Sequence, residues 1–414
     1  MYSLQKKFTH CAVLSTLIFT MTGSWAMADT LSDAITQGQV HLDFRPRYEF
    51  MSQAGKKDAH AFTVQTLLGL NSKPIAGFSA NLQFINVAGI INQYNSLRNN
   101  KTNYSVIPDP DESNINQAYL QYAGIKGWQL RAGRQEINLD DERFVGAVGF
   151  RQTPQTFDAV SITGKPLEDL TLYGAYIWRI KNILNENVPS QTILSEISWS
   201  PSALLHAQAF AYWYGNQAHS AIPGAAACFL AGNARVCNSQ TLGVRVGGTI
   251  PLSPALKLPY DLSYARQLPY DGGSAAIHAS YYHLGAGLAI PEASVHVNYM
   301  VMGTNREGSY GFQTPLATKH AFNGWAEVFL TTPSQGLRSL YITAAGNIME
   351  IQLMAIYYDF RADHGGAHYG HELDLSVTRG FSRHWSAGVQ FADYRRNAYG
   401  VNTEGAWVFV DAKF

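Results

Sequence analysis

The last nine residues of the chain, AWVFVDAKF at positions 406–414, alternate between two kinds of side chain. Successive side chains of a β-strand point to opposite faces. One face of this stretch carries only apolar side chains: Ala406, Val408, Val410, Ala412 and Phe414. The other face carries Trp407, Phe409, Asp411 and Lys413. An alternating strand that ends on an aromatic residue is typical of barrels in the bacterial outer membrane, so the stretch predicts the last strand of a membrane β-barrel.

The segment 40–50, VHLDFRPRYEF, shows the same alternation near the other end of the chain. Its apolar face carries Val40, Leu42, Phe44, Pro46, Tyr48 and Phe50, and its opposite face carries His41, Asp43, Arg45, Arg47 and Glu49. A packed core tolerates so many charges only when each has a partner. A water-filled lumen would solvate them, although this strand alone fits the outer face of a soluble sandwich equally well.

Eighteen alternating segments follow one another between residues 39 and 414, and their connections are alternately short and long. Transmembrane barrels have an even number of strands, tight periplasmic turns and longer outer loops. We therefore predict an all-β fold, a transmembrane antiparallel β-barrel of about eighteen strands, with eight turns and nine outer loops. A barrel of sixteen to eighteen strands leaves an aqueous channel.

The N-terminus predicts export. Lys6 and Lys7 precede an apolar run, and Ala26-Met27-Ala28 supplies small residues for a cleavage site. We expect a secretory signal peptide at residues 1–28 and one barrel domain at 29–414. In the oxidising compartment that follows, Cys228 and Cys237 would most simply form a disulfide across an outer loop.

Composition excludes two classes of protein. The chain has 30 Lys and Arg against 30 Asp and Glu, whereas a nucleic-acid-binding domain normally shows a basic excess. No apolar run reaches the ~18 residues that a transmembrane helix needs, so the second excluded class is that of helical membrane proteins.

Charged side chains in two regions are candidates for a pore lining. Strand parity places Arg45, Arg47, Glu49 and Arg131 in the lumen. The segment 134–156 concentrates both charge signs between two strands, at Arg134, Asp140, Asp141, Glu142, Arg143 and Arg151. If this segment folds inward, its arginines would form one wall of a selectivity filter, because guanidinium groups match carboxylates well. The alternative, a salt-bridged outer loop, fits the spacing equally well.

Three stretches resemble the alginate-export-like family of bacterial outer-membrane porins. The first comprises Leu130–Asp140, Arg143–Gly146, Arg151-Gln152 and Gln155–Asp158; the second comprises Pro315–Trp325 and Phe329–Pro333; the third comprises Tyr358–Asp363 and Glu372–Leu375. The resemblance implies a monomeric eighteen-stranded barrel with loops folded inward. The alginate exporter itself has an arginine-rich constriction, and this chain keeps arginines at 131, 134, 143 and 151.

The sequence thus predicts a passive outer-membrane porin for ions and small hydrophilic solutes, with anionic solutes among the candidates. Its partners would be outer-membrane lipid and lipopolysaccharide, with the barrel assembly machinery inserting it. We expect no cofactor, no metal site, no catalytic residues and no nucleic acid. The alternatives are an exporter of an anionic polysaccharide such as alginate, a barrel enzyme, for which no nucleophile motif is found, and a barrel that only displays loops.

Overall fold

The computed structural model describes residues 31–218 and 234–414. The signal peptide expected at residues 1–28 lies outside the described residues, and so does Cys228. Cys237 ends a short 3-10 helix, Ala234–Cys237. Cleavage of the signal peptide and the Cys228–Cys237 disulfide therefore stay predictions.

Eighteen strands account for most of the described residues. In chain order they are β1 (Gln39–Gln53), β2 (Ala59–Asn71), β3 (Phe78–Gln93), β4 (Glu112–Tyr122), β5 (Trp128–Gln135), β6 (Thr156–Leu167), β7 (Leu170–Lys181), β8 (Asn187–Ser202), β9 (Leu205–Tyr214), β10 (Ser239–Pro251), β11 (Lys257–Pro269), β12 (Ala279–Ile290), β13 (Ala293–Met302), β14 (Leu337–Ile348), β15 (Ile351–Arg361), β16 (His368–Gly380), β17 (Trp385–Arg396) and β18 (Thr403–Lys413).

The sheet closes on itself. Each strand pairs antiparallel with its neighbours in the chain, and β1 also pairs with β18. The closing register places Phe44 opposite Ala412 and Gln53 opposite Thr403. Beyond β18, the Leu42 amide donates to the Phe414 carbonyl oxygen at 3.0 Å. The predicted barrel of eighteen strands is confirmed, and its closure pairs the edges that an open sheet would leave unpaired.

The alternation seen in the sequence separates an outer from an inner surface. In β18, Val408 is 50 % exposed on the outside, whereas Trp407 is fully buried inside. The same contrast holds in β14, where Leu340 and Ile342 are exposed. A continuous apolar exterior is suited to lipid, and a closed barrel satisfies its backbone polar groups within the protein.

The connections also divide as predicted, into eight short turns and nine loops at the opposite end. Three loops matter below: the second loop (94–111), the third loop (136–155) and the seventh loop (303–336). The sequence favours turns at Ser200-Pro201-Ser202 and at Gly346-Asn347, and both predictions were wrong. β8 continues to Ser202. β14 continues to Ile348, and the chain reverses at Met349 and Glu350, which have φ of 48° and 68°.

Helix is scarce in the described part of the chain. It occurs at residues 31–36, at Ala234–Cys237 and at Lys319–Ala321 within the seventh loop. None of the described helices has the length and hydrophobicity to cross a membrane.

Candidate functional site

The third loop crosses the inside of the barrel. It leaves the wall at β5, yet the guanidinium of Arg143 lies against Met300 and Met302 of β13. These two strands are eight positions apart in a ring of eighteen, so the loop reaches nearly the opposite wall. Farther along the loop, Gln152 accepts a hydrogen bond from Arg45 of β1 at 3.0 Å and donates to Thr63 of β2 at 2.8 Å.

The seventh loop folds inward and pairs with the third loop. Val145 and Leu316 form an isolated parallel bridge, and the Gly146 amide donates to the Leu316 carbonyl oxygen at 2.9 Å. Both Val145 and Leu316 belong to a buried hydrophobic cluster that includes Trp325 and Phe329 of the seventh loop. Two loops that start in different parts of the barrel therefore form one packed layer across the lumen.

Five charged side chains meet where the three loops approach β1, and we call them the central ion cluster: Arg47, Glu49, Asp109, Arg151 and Glu327. Arg151 lies 3.1 Å from Glu49 and 3.5 Å from Asp109, and it also pairs with Glu327. Arg47 lies 3.1 Å from Glu49 and pairs with Asp109. Each side chain is at most 11 % exposed, so the cluster joins β1 to all three loops through buried ion pairs.

Aromatic rings pack around the central ion cluster. Two guanidinium groups lie over the Phe150 ring, with Arg47 5.0 Å and Arg151 5.1 Å from its centroid. His320 stacks on Phe150 with ring centroids 3.5 Å apart, and Trp407 contacts both rings edge-on. Because arginine over an aromatic face gains from cation–π attraction, the Phe150 ring stabilises the two arginines away from water.

Burial and ion pairing have opposing effects on the pKa values of Glu327, His320 and Arg151, which lie in the loops. Burial disfavours the Glu327 carboxylate, but Arg151 and His320 more than offset it and lower the pKa of Glu327 to about 2. His320 Nδ1 lies 3.1 Å from Glu327, yet burial still lowers the pKa of His320 and keeps it neutral. Burial opposes the charge of Arg151 as well, but Glu327, Glu49 and Asp109 raise its pKa above the ordinary value. The ion pair between Arg151 and Glu327 is thus fully charged at neutral pH.

Arg45 holds the backbone of the third loop. Its Nη1 donates to the Gly149 carbonyl oxygen at 2.8 Å and its Nη2 to the Arg151 carbonyl oxygen at 2.6 Å. Arg45 therefore contacts the loop directly, as its predicted position in the lumen requires.

Arg143 is buried without a carboxylate. It is 3 % exposed, its Nη1 donates to Asn323 Oδ1 at 2.8 Å, and its guanidinium lies over the rings of Tyr281 and Phe322. Among residues 31–218 and 234–414, no Asp or Glu lies within ion-pair distance of it. The side chain connects the third and seventh loops.

The three acidic residues of the third loop have different partners. Asp140 and Asp141 both pair with Arg245 of β10, which also pairs with Asp261 of β11. Burial raises the pKa of Asp141 even though Arg245 lies 2.8 Å away. Glu142 instead accepts a hydrogen bond from the Thr318 hydroxyl, which is a second link between the third and seventh loops.

Arg131 lies in a polar cavity of about 280 Å³ on the turn side of the third loop, which we call the inner cavity. Its charged lining consists of Arg131, Glu136, Asp140 and Glu196. Burial raises the pKa of Glu136. Arg131 donates to Gln121 at 3.0 Å and lies over the Tyr119 ring.

Arg134 is separated from the other candidates. It lies on the face of β5 that carries the exposed Leu130 and Ala132, and it pairs with Asp158 of β6 at 2.7 Å. The register of β5 against β6 puts this pair beside Ala132 and Val160, which is 41 % exposed. Strand parity therefore places Arg134 on the outer surface, near the loop end of the barrel.

Sequence reasoning missed several residues of the site, namely Asp109, Phe150, Lys319, His320 and Glu327. Lys319 and His320 lie in one of the stretches that carried the family resemblance, which was the available signal for them. Asp109 and Glu327 lie in loops whose path across the lumen no local pattern indicates. Within the described ranges, no three His, Cys, Asp or Glu side chains are placed to hold a metal ion.

A comparison with protein-family models matches residues 39–296, more than half of the chain, to the family described as alginate export. No curated protein matches the sequence.

Solved structures share the fold at low sequence identity. Acinetobacter baumannii OccAB2 is 14 % identical with a TM-score of 0.70, covering 92 % of this chain and 99 % of that one. Pseudomonas aeruginosa OccK5 (OpdH) is 13 % identical with a TM-score of 0.67 and the same coverage. Pseudomonas aeruginosa OpdK, solved with vanillate, is 11 % identical with a TM-score of 0.66, covering 91 % and 98 %. At these identities the similarity shows the fold.

Proposed function

Because this chain belongs to the alginate export family and folds as a closed barrel crossed by two packed loops, we propose that it is a passive outer-membrane channel for ions and small hydrophilic solutes. The observation that carries the proposal is the bridge between Val145 and Leu316, together with the buried cluster around it. A polymer in transit needs a continuous wide conduit. The packed third and seventh loops instead narrow the lumen.

The outer surface supports placement in the outer membrane. Trp199 and Trp385, at the turn end of the barrel, are each 44 % exposed, and Trp178, at the loop end, is 39 % exposed. Aromatic residues at both ends of an apolar band are typical of transmembrane barrels, where they lie at the two lipid–water interfaces. With short turns on the periplasmic side, the three inward-folded loops enter from outside the cell.

Six charges of the predicted pore lining divide between two roles. Arg47, Glu49 and Arg151 are buried in the central ion cluster and hold the loops in place. Arg131, Asp140 and Asp141 retain access to solvent near the inner cavity, so they meet the solute. Both charge signs lie there, which supports weak ion preference and a range of small solutes, including anions. OpdK, a structural relative, was solved with the anion vanillate.

We extend the proposal to the partners of the protein. It is a monomer surrounded by outer-membrane lipid and lipopolysaccharide, and the barrel assembly machinery inserts it. Transport is the proposed activity, and no catalytic step is part of it. The family name keeps export of an anionic polysaccharide as the second candidate.

Planar-bilayer recording of the purified protein tests the proposal. Stepwise conductance in simple salts is expected, with a reversal potential that indicates weak ion preference. The absence of conductance from a barrel that shows heat-modifiable migration would contradict the channel function. Alginate oligomers crossing as readily as monosaccharides would favour the exporter.

A further inference from the structure

A cavity of about 210 Å³ lies on the outer side of the packed loop layer, and we call it the outer cavity. It is bounded by the third and seventh loops and by the loop ends of β7, β8 and β9. Its lining is mainly apolar and includes Ile183, Leu316 and Leu330, and Tyr214 and Tyr310 add aromatic surface. Arg151 and Glu327 of the central ion cluster also line this cavity.

Lys319 brings a positive charge to the outer cavity. It is half-buried in the 3-10 helix of the seventh loop, and within residues 31–218 and 234–414 its ammonium has neither an ion pair nor a hydrogen bond. Burial lowers the pKa of Lys319 to about 8, and the nearby Arg143 contributes to this shift. The lysine is therefore mostly protonated at neutral pH while its charge is not compensated.

The other charged groups in the lining do not compensate Lys319. Arg151 and Glu327 pair with each other, and His320 Nδ1 lies 3.1 Å from Glu327 Oε1. An unpaired charge near apolar surface is costly, and the cost falls when a counter-ion with matching hydrogen-bond acceptors arrives. The lining thus offers one anion-binding group beside an apolar wall.

The size of the cavity limits what can fill it. An apolar cavity of about 150 Å³ holds a benzene ring. The outer cavity, at about 210 Å³, has room for one such ring and a small substituent. A disaccharide or a larger anion would not fit, and a small inorganic anion would leave the apolar wall unfilled.

We propose that the outer cavity binds a small monocarboxylate whose apolar body has the size of one six-membered ring, with the carboxylate at Lys319 and the ring against Ile183, Leu316 and Tyr310. The inference rests on the proposed channel function, for which it names a class of solute. Binding at this position would concentrate the solute at the entrance of the packed layer.

The test measures equilibrium binding of four probes to the purified, folded barrel in detergent. Saturation-transfer NMR detects the binding. Benzoate carries both the ring and the charge, benzamide carries the ring without the charge, acetate carries the charge without the ring, and glucose carries neither. Benzoate is expected to bind, and the other three to bind at least about tenfold more weakly, the loss that one charge-assisted hydrogen bond or one buried ring accounts for.

Two variants and a matched control connect this binding to the cavity. Lys319→Gln keeps the length and polarity of the side chain without its charge, and benzoate affinity should fall about tenfold or more. Ile183→Trp should reduce benzoate binding by filling the cavity. Lys126→Gln removes the same charge from an exposed periplasmic turn and should leave binding unchanged. If Lys319→Gln does not fold, Lys319→Arg should retain benzoate binding while Ile183→Trp loses it.

Several outcomes would overturn the inference. If benzamide bound as tightly as benzoate, the charge of Lys319 would not contribute to recognition. If acetate bound as tightly as benzoate, the apolar wall would not contribute. Unchanged benzoate affinity in Lys319→Gln or Ile183→Trp would place the ligand elsewhere. Because these measurements need no current, they are separate from the channel test: benzoate binding without conductance would contradict the proposed function alone, and conductance without benzoate binding would contradict this inference alone.

Discussion

Arg151 of the third loop and Glu327 of the seventh loop form an ion pair inside the barrel, although 176 residues separate them in the chain. Their side chains are 2 % and 11 % exposed. A buried ion pair of this kind adds little to folding stability when compared with well-packed apolar residues. Removing one partner, however, leaves the other charge buried and uncompensated, which is costly. The pair therefore makes the position of each loop depend on the other.

Glu327→Gln should loosen the packed layer. The substitution leaves the Arg151 charge partly uncompensated, and breaking a buried pair costs about 3–5 kcal/mol. We expect much faster hydrogen exchange at the Gly146 amide, which donates to Leu316 across the two loops, and noisier single-channel current. The matched control is Glu350→Gln, because Glu350 is 78 % exposed on a turn. Unchanged exchange at Gly146 would show that the pair does not hold the loops.

Acidification should weaken the contact between the loops through His320. Burial lowers the pKa of His320 in the folded state, so release of the loop restores its ordinary pKa near 6.5 and lets it bind a proton. The contribution is therefore fully present above about pH 6.5 and is lost as the pH falls below that value, by up to about 1.4 kcal/mol per pH unit. Glu327, whose pKa is lowered to about 2, loses its contribution only below about pH 4.5.

The measurement is hydrogen exchange at the Gly146 amide at pH 7.5 and pH 5, corrected for the intrinsic exchange rate, in the natural protein and in His320→Gln. The aromatic rings that pack against His320 belong to Phe150, Trp325 and Trp407. The charged groups that influence its pKa are Glu327, Arg151 and Arg47. Asp141 and Glu136 have raised pKa values and act in the opposite direction, so the difference between the two proteins isolates the histidine. An identical pH response in both proteins would exclude His320 as the cause.

Arg245→Gln should shift ion preference toward cations. Arg245 is the shared partner of Asp140, Asp141 and Asp261, and its removal leaves three carboxylates together. One unit charge at 4 Å in water is worth about 1 kcal/mol, which corresponds to about a fivefold change in ion partition. Reversal potentials in a salt gradient measure this change, and Arg266→Gln serves as a control arginine on the neighbouring strand. An unchanged reversal potential would mean that permeating ions do not pass this cluster.

Benzoate binding should depend on pH through Lys319. With a pKa of about 8, the lysine is charged at pH 7 and neutral well above pH 8, so affinity should fall about tenfold per pH unit beyond that point. The other titratable or charged groups facing the outer cavity or Lys319 are Arg143, Arg151, His320, Glu327, Tyr214 and Tyr310.

Arg143→Met provides the specific readout for that pH dependence. Removing the neighbouring cation should raise the pKa of Lys319 and move the midpoint of benzoate binding to higher pH. Methionine also suits a pocket that already contains Met300 and Met302. A midpoint that does not move would exclude electrostatic coupling between Arg143 and Lys319.

The barrel could be predicted from the sequence because each strand has lipid on one side and the lumen on the other. That contrast repeats at every second residue and needs no knowledge of distant contacts. Its failure at Gly346-Asn347 has a physical explanation. Gly346-Asn347 has favourable turn chemistry, but the outward alternation of Leu340 and Ile342 continues to Ile348, which is 55 % exposed, and the pairing of β14 with β15 follows that alternation.

The site could be predicted only in part. The charge density of the third loop pointed to the correct segment, but not to the partners of its charges. Arg151 pairs with Glu327 and Arg47 with Asp109, and both pairs join parts of the chain that only the folded barrel brings together. Arg134 shows a second limit of the prediction. Its charge suggested a place in the pore lining, but it lies one residue before the end of β5, on the outward face of that strand.

Uptake of graded sugars into proteoliposomes tests the central claim most directly. The packed layer formed by the third and seventh loops predicts rapid uptake of monosaccharides and exclusion of alginate hexamers, with Glu327→Gln widening the size limit. Uptake of the hexamers at a rate close to that of monosaccharides, or no uptake of any sugar by correctly folded protein, would contradict a small-solute channel.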